Sequence, residues 1–167
     1  MELFEIRCNR QFMKDLLIGQ TFDQFLLEEA DISTLNHFMI DGHILPAFYE
    51  QDTAPAEEFS TWDKIRPVCF SLIRGKRLPL HFKLVLHAPE SIVQQILSDE
   101  QCTLAPEYLK ALVLTVRFNG SSTVCVTATS MHTFLPDKSA EQLWDRYIAT
   151  FLADYTTDTE TYGDQES

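Results

Sequence analysis

The chain is short of several features that would announce a chemistry. Its four cysteines, Cys8, Cys69, Cys102 and Cys125, are scattered with no CxxC pair, which removes finger-type zinc spacing and the thioredoxin-type redox motif. Neither these thiols nor the five histidines offer a ligand pair at metal-binding spacing, so no metal site is expected. Glycine occurs only five times and never as a glycine-rich phosphate loop. GxSxG, HExxH and serine–histidine–acid spacing are also missing, so no catalytic residue and no cofactor are assigned. No apolar run approaches the roughly 18 residues of a spanning helix. The opening MELFEIRCNR meets charge at Glu2 and Glu5, before a signal-type apolar stretch develops. These absences predict a cytoplasmic protein with reduced thiols and no membrane association.

What is present suits one soluble domain. Of 167 residues, 45% are hydrophobic and 23% charged, enough to build a core and too apolar for a disordered chain. The domain is expected over residues 1–153. Residues 154–167 read as an acidic flexible tail, because from Tyr155 onward the chain is acidic and small-polar without apolar periodicity.

Period and punctuation divide the domain. Phe4, Ile6 and Cys8 alternate with Glu5 and Arg7 as a short strand. Asn9 is placed to cap a helix with Phe12, Leu16 and Leu17 inward and Gly19 at its end. Strands over about 22–33 and 37–45 read as a hairpin turning near Thr34 and Asn36, with a bulge at Asp41-Gly42. Residues 46–61 have four acidic residues and no period, a long loop. A helix follows from about Asp63 to Arg74 with Ile65, Val68, Cys69, Leu72 and Ile73 inward; Pro67 falls at the end of its first turn, or inside it if the start is Trp62. Residues 80–88 alternate cleanly, Leu80, Phe82, Leu84 and Leu86 against His81, Lys83 and His87. A short helix spans 91–97, and 98–109 is irregular.

Parity matters most in the last hairpin, Leu112, Leu114, Val116 and Phe118 against residues 123–128. An odd loop with a left-handed Gly120 aligns that set with Val124, Val126 and Ala128, whereas an even loop places Thr123 and Thr127 on the apolar face. The odd loop is expected. Ser139 with Gln142 then suggests a capping box, followed by Leu143, Trp144, Tyr147, Ile148, Phe151 and Leu152 on one broad stripe. The fold class is therefore α+β: a single, mostly antiparallel sheet of about six strands with helices on one face, in the order β-α-β-β-α-β-α-β-β-α. The first six elements match a ferredoxin-like arrangement. Leu16, Leu17 and Gly19 echo Leu72, Ile73 and Gly75 at an offset of 56, a helix–glycine–strand repeat that leaves duplication open.

The stretches FDQFLLEEADISTLNHFMIDGHI, WDKIRPVCFSLIRGKRLPLHFK and VTATSMHTFLPDKSAEQLWDRYIATFL resemble an uncharacterised family of small proteins from anaerobic Gram-positive bacteria, over nearly all of residues 1–153. The resemblance implies a bacterial, intracellular, single-domain protein. It brings no activity, cofactor or catalytic residue.

One feature of charge stands out. The chain carries a formal −12, yet residues 64–83 hold six of its thirteen Lys and Arg residues and no Asp or Glu. Lys64, Arg66, Arg74, Lys76, Arg77, His81 and Lys83 are the candidate anion-binding residues, for a phosphate or carboxylate. A helix C-terminus and acidic neighbours within the fold account for the same cations and are the preferred reading. Thr127, Thr129, Ser130 and Thr133, with His81, His87 and Arg117, would line a polar sheet face. His43, with Glu28 and Glu29 upstream, could supply acid–base groups. Nucleic acid is disfavoured by the overall charge. Two classes of function remain: a non-catalytic binding or assembly module contacting a protein or small anion through the polar sheet face or the basic segment, as monomer or homodimer, and a small enzyme acting on a phosphorylated or carboxylated metabolite.

Overall fold

The computed structural model describes residues 1–50 and 53–157. The expected element order is found: β1 (Leu3–Ile6), α1 (Asn9–Leu17), β2 (Leu26–Ser33), β3 (His37–Asp41), α2 (Trp62–Ile73), β4 (His81–His87), α3 (Glu90–Leu97), β5 (Leu109–Phe118), β6 (Thr123–Met131) and α4 (Ser139–Phe151). A one-turn helix, α5 (Ala153–Thr156), follows. The strands form one sheet in the order β1-β6-β5-β4-β2-β3, with every pairing antiparallel. A ferredoxin-like start requires a parallel pair near its centre, and none forms here. Strand β1 sits instead at the far edge on β6, so that expectation is corrected.

Within β4 and β5 alternation sorts the side chains as their sequence dictates, with Phe82, Leu84, Leu86, Leu112, Leu114, Val116 and Phe118 buried; Leu80, expected with them, precedes the strand and is exposed. These join one core cluster with Phe12 and Leu16 of α1, Trp62 and Cys69 of α2, Ile96 of α3, and Trp144 and Ile148 of α4. Each large side chain so covered contributes about 1.5–3 kcal/mol of transfer free energy. Both tryptophans satisfy their polar end, Trp62 Nε1 donating to Leu16 O at 2.8 Å and Trp144 Nε1 to Val113 O at 2.9 Å. Strand residues of the other parity, among them Lys83, Val85, Val113, Thr115, Val124 and Val126, are half-exposed on the opposite face.

The last hairpin corrects the expected register. Phe118 pairs with Thr123, Val116 with Cys125 and Leu114 with Thr127, across an even four-residue loop. Val124 and Val126 therefore face outward, and Thr123 and Thr127 are buried. Two contacts decide the parity. Asn119 Oδ1 accepts from the backbone N–H of Ser121 at 3.0 Å and of Ser122 at 2.9 Å, closing the longer loop with Gly120 at φ +99°. Farther along, Thr127 Oγ1 accepts from Glu2 N–H at 2.9 Å and donates to Asp145. A threonine with such partners is at home on an apolar face.

Smaller corrections follow the same logic. Strand β2 begins at Leu26, and Phe22 and Phe25, expected in it, are buried in the preceding turn. Helix α2 starts at Trp62, which puts Pro67 inside it, and Val68 is 50% exposed because the buried stripe runs through Trp62 and Cys69 with Ile65 and Ile73 half-buried. Asn9 is the first residue of α1 rather than its cap. The capping box is replaced by Asp137, which accepts from Ser139 N–H at 2.8 Å and Oγ at 2.6 Å. Tyr155 belongs to the packed body: it is buried edge-on against Phe12, its hydroxyl donates to Asp15 Oδ2 at 2.5 Å, and its carbonyl accepts from Arg7 and Cys8 N–H. The rest of the expected tail, residues 158–167, lies outside the described residues.

Candidate functional site

The long acidic loop returns to the sheet and shapes its corner. Residues 58–61 wedge between the start of β2 and the chain after β3. Leu27 N–H donates to Ser60 O at 2.8 Å on one side, and Ser60 N–H donates to Gly42 O at 2.9 Å on the other. Gly42 is required by this crowding, because a Cβ there would sit 1.7 Å from Leu27 O. The bulge expected at Asp41-Gly42 does not form: the β2–β3 ladder is regular up to the Glu29–Asp41 pair, and the register shift falls between Leu27 and Glu29 where β2 pairs with β4.

Phe59 is thereby buried between two imidazoles, 4.5 Å from His43 and 4.9 Å from His87 by ring centres. His87 Nε2 meets Glu28 Oε2 at 2.6 Å. His43 Nδ1 meets Asp41 Oδ1 at 2.5 Å, with Glu58 at 3.4 Å from its Nε2. The hydrogen bond to Asp41 holds the His43 imidazolium above the usual histidine range, and the bonds from His43 hold Asp41 below the usual carboxylate range. Among the described residues, no hydrogen bond joins either imidazole to a hydroxyl or thiol, the partner a nucleophilic relay needs. Burial pushes Cys69 and Cys125 up to about 12, which makes them inert thiols.

Beside this stack lies a groove of about 930 Å³, between the end of β4, the start of β5, the wedge and α3. Its floor is apolar, formed by Leu26, Phe59, Val93, Leu97, Leu109 and Ala111. Among the described residues its rim carries five carboxylates, Asp23, Glu57, Glu58, Asp63 and Glu90, against Lys110 as the only Lys or Arg. Asp23 is neutralised by Arg66, whose Nε and Nη2 donate to it at 2.8 and 3.1 Å. The other four leave the groove negative. A floor of this kind accepts aliphatic or aromatic groups, and the rim selects for positive charge. Sequence reading missed the groove, since its wall comes from four separated segments; its one local trace was the cluster of acidic residues in the aperiodic 46–61 stretch.

The seven sequence-selected residues are distributed over three places. Lys64 is exposed and Arg66 half-buried near the start of α2, the latter held by Asp23 and by Ile18 O at 2.9 Å. Arg74, Lys76 and Arg77 are exposed in the link from α2 to β4 and make no ion pair with any described residue. His81 and Lys83 are on the helix-free face, where with Arg117 and Asp31 they line a depression of about 420 Å³, and Lys83 Nζ stands 3.5 Å from Glu29. Of the polar-face residues, His87 and Arg117 have the expected parity, and Thr127 and Thr129, which pair with the inward Leu114 and Leu112, do not.

A family model described as "Family of unknown function (DUF5721)" matches residues 15–160, and the chain belongs to that family. No curated protein and no solved structure matches it. Among the described residues, no helix is long and apolar enough to cross a membrane, and no three His, Cys, Asp or Glu side chains come together as metal ligands.

Proposed function

We propose that this member of a family of unknown function is a non-catalytic binding module that holds a cationic, partly apolar protein segment in the groove beside Phe59. The observation that carries the reading is the pairing of an apolar floor with a rim of five carboxylates and one lysine. An anionic metabolite would meet repulsion there, and the cations suited to one stand elsewhere, which speaks against the alternative of a small enzyme for phosphorylated or carboxylated substrates. The reading retains cytoplasmic residence in anaerobic Gram-positive bacteria, supported by the family resemblance.

Fluorescence anisotropy with a labelled seven-residue peptide of alternating lysine and leucine tests the reading. Wild type is expected to bind it, Glu57→Lys with Glu90→Lys to weaken binding by about tenfold or more, and salt to weaken it further. A leucine–glutamate peptide is expected not to bind. Equal binding of the two peptides, or of the basic peptide by wild type and variant, would refute the proposal.

A further inference from the structure

We infer that the segment seated in the groove is residues 74–80 of a second copy, so that the chain assembles head to tail. The inference rests on the reading of the groove just given and names its partner. Residues 74–80 read RGKRLPL. They present three exposed cations without a partner among the described residues, together with Leu78 at 74% and Leu80 at 67% exposure. This is the chemistry the groove selects: positive charge for the rim and aliphatic carbon for the floor.

The segment is also held in place before any contact is made. Arg74 N–H donates to Phe70 O at one end, Leu80 N–H donates to Ser33 O at the other, both at 2.8 Å, and Pro79 between the two leucines is buried. Fixing both ends limits the backbone freedom the segment has to lose on docking, which lowers the entropic cost of association.

Position excludes the intramolecular alternative. Residues 74–80 precede β4, and Leu80 O lies against Gly120 in the β5–β6 loop. The groove is lined by His87 and Ala88, at the other end of the same strand. The seven residues of β4 span roughly 20 Å, so the segment does not reach its own groove. Two different patches at opposite ends of one molecule make a heterologous contact, which propagates into a chain or closes into a ring. For molecules carrying −12 each, opposite local signs at the contact are also the condition for approach.

Analytical ultracentrifugation of the full chain at low salt tests this. Wild type is expected to show concentration-dependent species at multiples of 19.2 kDa. A segment variant, Lys76→Ala with Arg77→Ala and Leu78→Ala, and a groove variant, Glu57→Lys with Glu90→Lys, are each expected to be monomeric, with wild-type circular dichroism showing that both fold. Their equimolar mixture is expected to form a 1:1 dimer and nothing larger, since one keeps only its groove and the other only its segment. Wild type that stays monomeric to on the order of 1 mM, or either variant associating like wild type, overturns the inference. A labelled peptide of residues 74–80 separates its failure from that of the groove reading. If the lysine–leucine peptide binds and the 74–80 peptide does not, the inference alone falls; if neither binds, both fall.

Discussion

Two threonines on the same face of one strand carry opposite predictions. Thr123 is buried and its hydroxyl has no hydrogen-bond partner among the described residues, whereas Thr127, equally buried, is bonded to Glu2 and Asp145. Thr123→Val should therefore stabilise by about 1 kcal/mol, and Thr127→Val should destabilise by about 1–3 kcal/mol, because it strands polar partners. Urea unfolding of the two variants measures both, and equal signs would show that the register assigned to β6 is wrong. At Gly42, alanine would drive a methyl group into Leu27 O and should cost about 3 kcal/mol by the same assay. The His43–Asp41 pair sets a pH signature. With the His43 pKa raised, its contribution is fully present below the unfolded histidine value and is lost as pH rises through the folded one. With Asp41 lowered, its share is lost as pH falls through the folded carboxylate value. NMR titration should place the His43 midpoint above an ordinary histidine, and Asp41→Asn should bring it down.

Among the elements, α5 changes where the domain ends. Tyr155 fills the space over Phe12 at 5.3 Å between ring centres and ties α5 to Asp15 and to the start of α1. Desolvation first, then the Asp15 carboxylate, pushes its phenol up to about 12. Tyr155→Ala should cost about 3–5 kcal/mol, comparable to other buried aromatic truncations, and a thermal melt of this variant would show it. A solvated tail starting at residue 154 predicts no change instead. The sequence placed Tyr155 in the tail because one aromatic among acidic residues has no period to announce burial. The β5–β6 hairpin was misread for a related reason: the two registers differ by one residue, the valines of β6 favoured one, and the bonds that favour the other come from Glu2 and Asp145, remote in sequence.

For the molecule as a whole, charge is separated along the sheet. One end carries Arg74, Lys76 and Arg77, the other the carboxylates of the groove. A chain at −12 is also under self-repulsion, so raising NaCl from about 10 to about 500 mM should raise Tm by a few degrees while weakening head-to-tail association. Opposite responses of stability and assembly to one variable distinguish a global charge effect from a local contact. A parallel loss of both with salt would mean that intramolecular ion pairs dominate.

By itself the sequence determined the element order, the inward stripes of α1, β4, β5 and α4, and the basic segment, since each is written in the period and charge of neighbouring residues. Tertiary structure alone decided the order of strands in the sheet, the parity of β6, the burial of Tyr155 and the groove. Each of these depends on partners far apart in the chain: Phe59 reaches His87 only when residues 58–61 wedge beside Gly42, and Thr127 becomes an inward residue only when Asp145 is folded over it. Local preference differs little between such alternatives, and the contacts that separate them exist only once the chain has closed on itself.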